Sequence, residues 1–440
     1  MINPRYEAYR SLLKCGRDSK YSTLEINSIL TSVSMDNRDK ALYTRLLYGT
    51  IEKKLTLDYV IAQFSSKKIS SLDINVLTLL RLGVYQILFC EKIPDSAACN
   101  ESVNIAKKEF RYSSSFVNAV LRSVCRNKAT LSLYPAREDD PIKYLSIRYS
   151  VNQEICEIFV RDYGVDKTES ILDAMSKGES TVTLRVNTLK RTVNDLEKEL
   201  LDKGIKVTRP KHSDLGLCIN YNINDIESFN KGDFFVQDVA SQFCVSVLDA
   251  QKGQTVIDTC ACPGGKSFGI AMDMGNEGEI YSFDLHASKL SLIESSAQKL
   301  GINIIKVSEQ DGRQSRPELH GKADRVLCDL PCSGFGVIKK KPELRYKDVE
   351  MTKRLPQIQY EILCASANYL KPQGSMVFST CTMSKAENES VLARFLESNK
   401  NFKLVPFDVY GIRSQSGMVT LFPDIHDTDG FFVAKLERIN

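Results

Sequence analysis

The sequence predicts a multidomain protein in which an all-α helical bundle and a small α+β module precede an α/β domain with a doubly wound parallel sheet. Three patterns carry this prediction. Apolar residues recur at helical spacing over the first 130 residues, and a short strand–helix–strand pattern follows at 181–208. From residue 255 onward, short apolar runs alternate with helical stretches, which is typical of a parallel sheet. We therefore expect domains at 1–130, 131–235 and 236–440.

Composition limits the class of protein. A chain of 440 residues is too long for one ordinary domain, and its 42% hydrophobic and 26% charged content is typical of soluble globular proteins. The apolar runs are far shorter than the ~20 residues of a membrane span, and the N-terminus has no apolar signal region. Thirteen cysteines without a secretion signal indicate a reducing cytoplasm. With no C-x-x-C pair and only four histidines, we expect no metal site.

Charge is distributed unevenly along the chain. Residues 1–130 hold 20 Lys/Arg against 12 Asp/Glu, whereas the remainder holds 39 against 43. A basic module joined to a mildly acidic one suggests that the first module meets a polyanion. A solvated helical surface would give the same surplus, and the two interpretations carry similar weight.

The first two domains are predicted from periodicity and breaks. Helical spacing occurs at 6–15, 24–33, 41–64, 74–90, 97–110 and 116–125. The polar stretch 136–141 predicts a linker, and a further helix is expected at 152–163. Strands at 181–188 and 205–208 flank a helix at 192–203, as in a ferredoxin-like or RNA-recognition-like module, although no aromatic RNA-binding motif is present.

The third domain is predicted from the alternation of strands and helices. Strands are expected at 255–258, 279–284, 304–307, 325–329 and 375–380, and helices at 266–274, 287–300 and 357–370. Two final strands, at 404–409 and 430–436, would close the sheet. Ligands of such sheets lie at the carboxyl ends of the strands.

Two of these strand ends carry a cysteine. V-L-C-D-L-P-C-S-G-F-G (326–336) turns at Pro331 and presents Cys332, and S-M-V-F-S-T-C-T presents Cys381 after another apolar run. Both thiols would then lie in one crevice of the sheet. The alternative is that both cysteines are small buried hydrophobic residues, which is the commonest state of a free cysteine.

The motif V-I-D-T-C-A-C-P-G-G-K-S (256–267) combines a strand, a Gly-rich turn and a helix. It fails the P-loop pattern because Cys260 stands where glycine is required, and it lacks the dinucleotide pattern G-x-G-x-x-G. What remains is a tight turn on which a non-phosphate cofactor can lie, with backbone amides reaching its carboxylate.

Two aspartates follow the next two strands. Asp284 is placed to accept hydrogen bonds from both hydroxyls of a ribose, and Asp311 to meet an adenine edge or a cofactor amine. Either could instead cap the following helix, which is the more frequent role for a single aspartate. Three successive strand ends each carry a residue suited to binding a ligand. Together they favour a cofactor that contains adenosine but no pyrophosphate, and S-adenosylmethionine fits that description.

The motifs C-A-C-P-G-G-K, D-L-P-C-S-G-F-G and F-S-T-C-T, followed by E-N-E (387–389), resemble those of the RNA (cytosine-5) methyltransferases of the Sun family. At the head of the chain, 94–107 and 115–122 resemble the RNA-binding helical domain of the antitermination factor NusB. The likeness extends from about residue 4 to the end. The departures are Cys262, Leu330 and Ser267, where the family commonly has Ala, Ala and Thr, and none of them removes a functional group.

The resemblance implies a Rossmann-like class I methyltransferase domain and a role for each motif. Cys381 would attack carbon 6 of cytosine, because carbon 5 is too weak a nucleophile to take a methyl group directly. Asp329 would hydrogen-bond the base at N3 and its amine. Cys332 would assist release of the product. Apart from the resemblance, the attacking thiol needs a lowered pKa, and the motifs make Lys266 the nearest candidate cation.

The resemblance also implies the ligands. S-adenosyl-L-methionine is the expected cofactor, and its expected binding residues are Cys260, Ala261, Cys262, Pro263, Gly264, Gly265, Lys266, Asp284, Asp311 and Asp329. The expected partner is 16S rRNA or a small-subunit assembly particle. We expect the protein to bind it as a monomer, and we expect it to bind neither DNA nor a membrane. The basic run 339–347 would clamp phosphates beside the target base, unless it is only a solvated loop.

Other functions are weighed against this one. A methyltransferase for tRNA or 23S rRNA would share every motif. A DNA enzyme would use the P-C cysteine as its nucleophile, and an amino-group methyltransferase would carry D-P-P-Y where this chain has D-L-P-C. A non-enzymatic RNA-binding assembly or antitermination factor would not need both thiols and the three aspartates.

Overall fold

The computed structural model describes residues 3–18, 22–177 and 181–440. They form two compact units. The first consists of the described residues up to Ser176 together with Ile338–Val349, and the second of Lys177–Val337 and Glu350–Asn440. Within the described ranges, no helix is long and apolar enough to cross a membrane. These same ranges contain no cluster of three or more side chains that could hold a metal ion.

The first unit is helical. Its helices are α1 (Pro4–Asp18), α2 (Ser22–Ser32), α3 (Asn37–Glu52), α4 (Lys54–Phe64), α5 (Ile74–Phe89), α6 (Asp95–Glu109), α7 (Ser114–Asn127), α8 (Pro141–Tyr149), α9 (Gln153–Tyr163) and α10 (Val165–Ser176). Helix α5 is the centre of the bundle, because 11 of its 16 residues are buried. Asp73 begins it by accepting hydrogen bonds from the N–H groups of Asn75 and Val76.

One prediction for this unit needs correction. The helix expected at 41–64 is two helices, since Lys53 leaves the helical conformation between α3 and α4. The segment 136–140 of the expected linker has neither helix nor strand. Its Arg137 pairs with Asp166 and with Glu169 of α10, the latter at 3.1 Å.

The segment Ile338–Val349, which holds the basic run, packs within this helical unit. The Arg345 side chain is 3% exposed and donates to the Tyr149 carbonyl at 2.8 Å. The Tyr346 hydroxyl donates to the Ile51 carbonyl at 2.5 Å. The expected phosphate clamp is therefore wrong for Arg345, whose guanidinium is already used. Lys339 and Lys341 are exposed.

The second unit begins with a small antiparallel sheet. Its strands are β1 (Val182–Val186), β2 (Val207–Thr208), β3 (Gly216–Ile219) and β4 (Phe234–Val236), in the order β2-β3-β1-β4, with helices α11 (Val193–Asp202) and α12 (Glu227–Asn230). The sequence prediction found the first two strands and the helix. It missed β3 and β4, because strands of three or four residues between turns have too little periodicity to be recognised.

The larger part of this unit is an eight-stranded sheet with helices. Its strands are β5 (Thr255–Asp258), β6 (Glu279–Asp284), β7 (Ile305–Glu309), β8 (Ala323–Asp329), β9 (Leu370–Thr380), β10 (Phe402–Leu404), β13 (Met418–Leu421) and β14 (Phe431–Arg438), and β11 (Phe407–Val409) and β12 (Ile412–Ser414) form a separate hairpin. The helices are α13 (Val239–Leu248), α14 (Gly265–Asp273), α15 (Ala287–Leu300), α16 (Leu355–Ala367), α17 (Glu389–Ser398) and α18 (Pro423–His426).

The sheet is mixed, not wholly parallel. Its order is β10-β14-β9-β8-β5-β6-β7, with β13 beside β14. Strands β5 to β9 are parallel, whereas β14 runs antiparallel to β9, β10 and β13. The strand predicted at 404–409 is split, because Pro406 has no N–H to donate to a ladder. The prediction of a Rossmann-like α/β domain is confirmed, and only its edge differs.

Strands β8 and β9 are neighbours and run in the same direction. Asp329, the last residue of β8, lies opposite Ser379 of β9. The loops that follow the two strands therefore leave the same edge of the sheet side by side, and these loops carry Cys332 and Cys381.

Candidate active site

The structure brings Cys332 and Cys381 together. Their sulfur atoms lie 3.2 Å apart, too far for a disulfide of about 2.05 Å and close enough for a hydrogen bond. Both residues are half-buried. Each thiol sits just beyond the end of its strand, where parallel strands deliver functional groups to a shared crevice.

The surroundings of Cys332 keep its thiol protonated. The hydrogen bond with Cys381 raises the pKa of Cys332 well above its ordinary value, and burial and the negative charges of Cys381 and Glu387 act in the same direction. Cys332 therefore keeps its proton at neutral pH. An S–H group that points at a neighbouring sulfur can stabilise negative charge there, so the pair is suited to one thiol and one thiolate.

Lys266 and Asp329 form an ion pair beside the thiols. The Lys266 ammonium lies 2.6 Å from Oδ2 of Asp329, and Ser379 donates its hydroxyl to Oδ1 at 2.8 Å. Burial lowers the pKa of Lys266, but the charge of Asp329 outweighs it and the pKa is raised, with the negative form of Cys381 contributing. Lys266 therefore stays cationic, and its charge favours negative charge on Cys381.

The turn that follows β5 is tightly folded. The Ala261 N–H donates to the Phe283 carbonyl at 2.8 Å, and the Gly264 N–H donates to the Ala261 carbonyl at 2.6 Å. Gly264 has φ +103°, and a Cβ there would lie 2.4 Å from the ring of Phe268, so glycine is required. Helix α14 begins at the next residue, so its first N–H groups face the region beyond the strand ends.

The remaining residues of the predicted cofactor set lie around this turn. Burial raises the pKa of both Cys260 and Cys262, which makes these thiols poor nucleophiles at neutral pH. The sulfur of Cys262 lies 4.0 Å from the Lys289 carbonyl. Pro263 joins Cys262 through a cis peptide bond.

Asp284 and Asp311 are held in different ways. Asp284 ends β6 and accepts the N–H of Cys262 at 3.2 Å and of His286 at 3.1 Å, so it is tied to the turn. Asp311 is bound instead by Arg313 of its own loop, at 2.6 Å from the guanidinium, and this hydrogen bond lowers the pKa of Asp311. Among the described residues, no hydrogen bond joins the Asp311 side chain to the turn after β5. Asp311 is therefore less closely connected to the other predicted cofactor-binding residues than Asp284 is.

Sequence reasoning assigned no role to several polar side chains that support the two thiols. Ser333, Thr382, Glu387 and Asn388 are all buried and hydrogen-bonded around the cysteine loops. It also missed Asp258, the buried last residue of β5, which accepts the Ser267 hydroxyl at 2.6 Å. The sequence shows that polar residues follow the apolar run at 376–378, but it does not show which groups these residues contact.

Comparison with known proteins matches each part of the chain. The family model "16S rRNA methyltransferase RsmB/F" matches residues 245–437, the NusB family model matches 3–126, and the ferredoxin-like domain of the RsmF/B-like methyltransferases matches 155–224. A probable ribosomal RNA small subunit methyltransferase B of Bacillus subtilis is 34% identical over 98% of both chains. The chain belongs to the ribosomal RNA small subunit methyltransferase B family.

Other comparisons agree with this membership. A probable small subunit methyltransferase B of Synechocystis is 32% identical over 100% of both chains. The crystal structure of PH0851 superimposes with a TM-score of 0.82 at 28% identity, covering 100% of this chain and 99% of the other. Membership in the methyltransferase B family confirms the Sun-type resemblance and makes the chain an S-adenosyl-L-methionine-dependent methyltransferase.

The residues of the turn fit that cofactor. The carboxylate of Asp284 is fixed at the end of β6, with lone pairs left for ribose hydroxyls. The first turn of α14 offers unpaired N–H groups to a carboxylate. Since no phosphate is needed, the absence of the P-loop glycine at position 260 does not count against the fit.

Proposed function

We propose that the protein transfers a methyl group to carbon 5 of a cytidine in 16S rRNA through a covalent bond between Cys381 and carbon 6 of the base. The observation that carries the proposal is the pair of sulfurs 3.2 Å apart beside the Lys266–Asp329 ion pair. Neither a mere binding protein nor an amino-group methyltransferase has use for such a pair.

Cys381 is the proposed nucleophile. The Lys266 cation favours its thiolate, and the Cys332 S–H is placed to donate to it. Addition of the thiolate to carbon 6 converts the ring into an enamine whose carbon 5 is nucleophilic. The methyl group comes from the sulfonium centre of S-adenosyl-L-methionine.

Asp329 is the proposed partner of the base. Each of its carboxylate oxygens accepts one hydrogen bond from the protein and has a lone pair left for the base. A carboxylate can accept from the cytosine amine, and from N3 once that atom is protonated. Attack at carbon 6 pushes negative charge towards N3, which takes a proton from solvent as the thiolate adds. The Asp329 carboxylate then accepts from the N3–H and the amine and holds the ring in this form. The cytidine must leave its stack to reach this position.

Cys332 is the proposed release group. Loss of the carbon-5 proton to a solvent base re-forms the double bond and expels the Cys381 sulfur as a thiolate. The protonated Cys332 donates its S–H to that departing sulfur, which makes it a better leaving group. The raised pKa of Cys332 suits this role, because a thiol that has lost its proton could not donate.

The proposed cofactor contacts follow the turn and the strand ends. The loop 260–266 would wrap the cofactor, with the amides of Gly265 and Lys266 near its carboxylate. Asp284 would hold the ribose hydroxyls. Asp311 would accept a hydrogen bond from the adenine or from the cofactor amine. To do so, its carboxylate must bind the cofactor while it also binds the Arg313 guanidinium.

The proposed partner is 16S rRNA, either alone or within a small-subunit assembly particle, bound by a monomer in the cytoplasm. The basic surplus of residues 1–130 and the exposed Lys339 and Lys341 support contacts with phosphates. We further propose that 1–130, 131–235 and 236–440 are the units of function, with the first as the RNA-binding head.

Incubation with methyl-labelled S-adenosyl-L-methionine and unmodified 16S rRNA tests this function. Nuclease digestion and mass spectrometry should find 5-methylcytidine at one position. Transcripts of tRNA and 23S rRNA, and DNA of the same sequence, serve as controls and should stay unlabelled. Label on another RNA, on DNA or on an exocyclic amine would contradict the proposal.

A further inference from the structure

We propose that Glu387 and Asn388 are positioning residues with separate tasks: Asn388 holds the Cys381 loop for attack, and Glu387 holds the Cys332 loop for release. The proposal rests on the covalent reaction described above and adds the residues that set its geometry. Both side chains lie in the turn between Cys381 and α17, and both are buried, at 4% and 0% exposure.

Glu387 binds the backbone around Cys332. Its Oε2 atom accepts the N–H of Ser333 at 2.8 Å and also the Nε2 group of Gln359 at 3.3 Å. The same Nε2 group donates to the Pro331 carbonyl at 2.9 Å. The residues immediately before and after Cys332 are therefore fixed through one carboxylate and one amide.

Asn388 binds both residues that flank Cys381. Its Oδ1 atom accepts the Thr380 hydroxyl at 2.5 Å, and its Nδ2 group donates to the Thr382 carbonyl at 3.0 Å. A single side chain thus spans the cysteine from one neighbour to the other. Rotation of this loop would break both bonds, so Asn388 fixes the direction of the Cys381 side chain.

The two loops are also joined to each other. Ser333 donates its hydroxyl to that of Thr382 at 2.8 Å, and the Gly336 N–H donates to the Cys381 carbonyl at 2.9 Å. The distance between the sulfurs is therefore set by a network of hydrogen bonds, most of them buried. Buried networks of this kind hold one geometry because each broken link leaves an unsatisfied polar group.

Helix capping does not explain Asn388. It occupies the position before the first residue of α17, where asparagine commonly accepts the N–H groups of the first turn. Its side chain makes no such bond and is turned towards Thr380 and Thr382 instead. The side chain serves the cysteine loop at the expense of the helix end.

The test is single-turnover kinetics with 16S rRNA, in which the covalent complex is followed on denaturing gels. In Asn388→Ala, formation of the complex should slow by about 10²-fold, the effect of a displacement near 1 Å, while its decay is unchanged. In Glu387→Ala, formation should stay near the normal rate, and decay should slow by about 10²-fold. Glu387→Gln keeps an acceptor for Ser333 and should restore most of the decay rate.

Asn399→Ala is the matched control. Asn399 lies at the other end of α17 and donates to the Phe395 carbonyl at 2.9 Å, so its loss weakens the helix without touching either cysteine loop. Both of its rates should equal those of the unmodified protein. If Glu387→Ala does not fold, two milder variants keep the test. Glu387→Asp has a shorter side chain that draws the carboxylate away from Ser333, and it must slow decay of the complex. Asn388→Asp loses the donor to the Thr382 carbonyl, and it must slow formation.

The proposal would be overturned if the Glu387 and Asn388 variants had the same effect on both steps. If the variants slow both steps equally, or lower only the melting temperature and the active fraction, the two residues are merely structural. If the unmodified protein forms no covalent complex, the proposed function fails, and this outcome is distinct because it appears before any variant is compared.

Discussion

Asp258 predicts an unusual pH dependence of stability. Its carboxyl group is 1% exposed at the end of β5 and accepts the Ser267 hydroxyl at 2.6 Å. Burial raises its pKa to about 7, with the charge of Asp329 adding to the effect and Ser267 and Lys266 opposing it. An unfolded aspartate has a pKa of about 3.9.

The sign and size of the effect follow from this difference. The folded state binds the proton more tightly, so stability falls as pH rises from about 4 to about 7 and then levels off. Three pKa units correspond to about 4 kcal/mol in all, of which about 2 to 3 kcal/mol is lost between pH 5 and 8. Asp258→Asn removes the titrating group and should remove this loss.

Hydrogen exchange of the β5 peptides, measured at several pH values, isolates the effect. Intrinsic exchange chemistry cancels when the original protein and Asp258→Asn are compared at the same pH. The ratio of their exchange rates should change by about 10² between pH 5 and 8 in favour of the variant. In the control, Asp324→Asn, the ratio should stay flat over this range, because hydrogen bonds from Lys371 and the Thr255 N–H outweigh burial and lower the pKa of Asp324. A flat ratio for Asp258→Asn as well would refute the reasoning.

Three further changes test other parts of the structure. Lys266→Met removes the cation beside Asp329 and should slow methyl transfer by about 10²-fold, less at high pH where more Cys381 is ionised, as single-turnover assays would show. Gly264→Ala places a Cβ at φ +103° against Phe268 and should cost about 1 to 3 kcal/mol in thermal unfolding; an unchanged melting temperature would contradict the tight turn. Arg185→Met leaves Asp273 without the partner that binds it at 2.6 Å and should cost about 3 to 5 kcal/mol in urea unfolding followed by circular dichroism.

The strand ends could be predicted from the sequence because each combines an apolar run with an abrupt polar turn. The parallel order of β5 to β9 follows from the alternation with helices, and it alone brings the Cys332 and Cys381 loops to one edge. These are local patterns with one dominant physical cause, the burial of a strand on both faces.

The remaining features depend on contacts between distant parts of the chain. Strand β14 pairs with β9 in the antiparallel direction. The hydrophobic periodicity of the sequence does not show which strands pair with each other. The charge pattern of 339–347 predicted a solvent-facing clamp, but Arg345 is drawn into the helical unit by the Tyr149 carbonyl. Glu387 and Asn388 were recognised only as members of the E-N-E motif. Their hydrogen bonds to the cysteine loops could not be predicted, because the sequence does not show which atoms a side chain contacts.

The central claim is that Cys381 attacks and Cys332 releases, and one gel tests it most directly. Cys332→Ala keeps the nucleophile, Lys266 and Asp329, so it should accumulate a covalent complex with methylated 16S rRNA that migrates slowly under denaturing conditions. The band should vanish in Cys381→Ala and in the double variant, while both proteins still bind the cofactor. A band in Cys381→Ala with none in Cys332→Ala would reverse the roles of the two thiols, and substantial turnover by Cys381→Ala would contradict the account altogether.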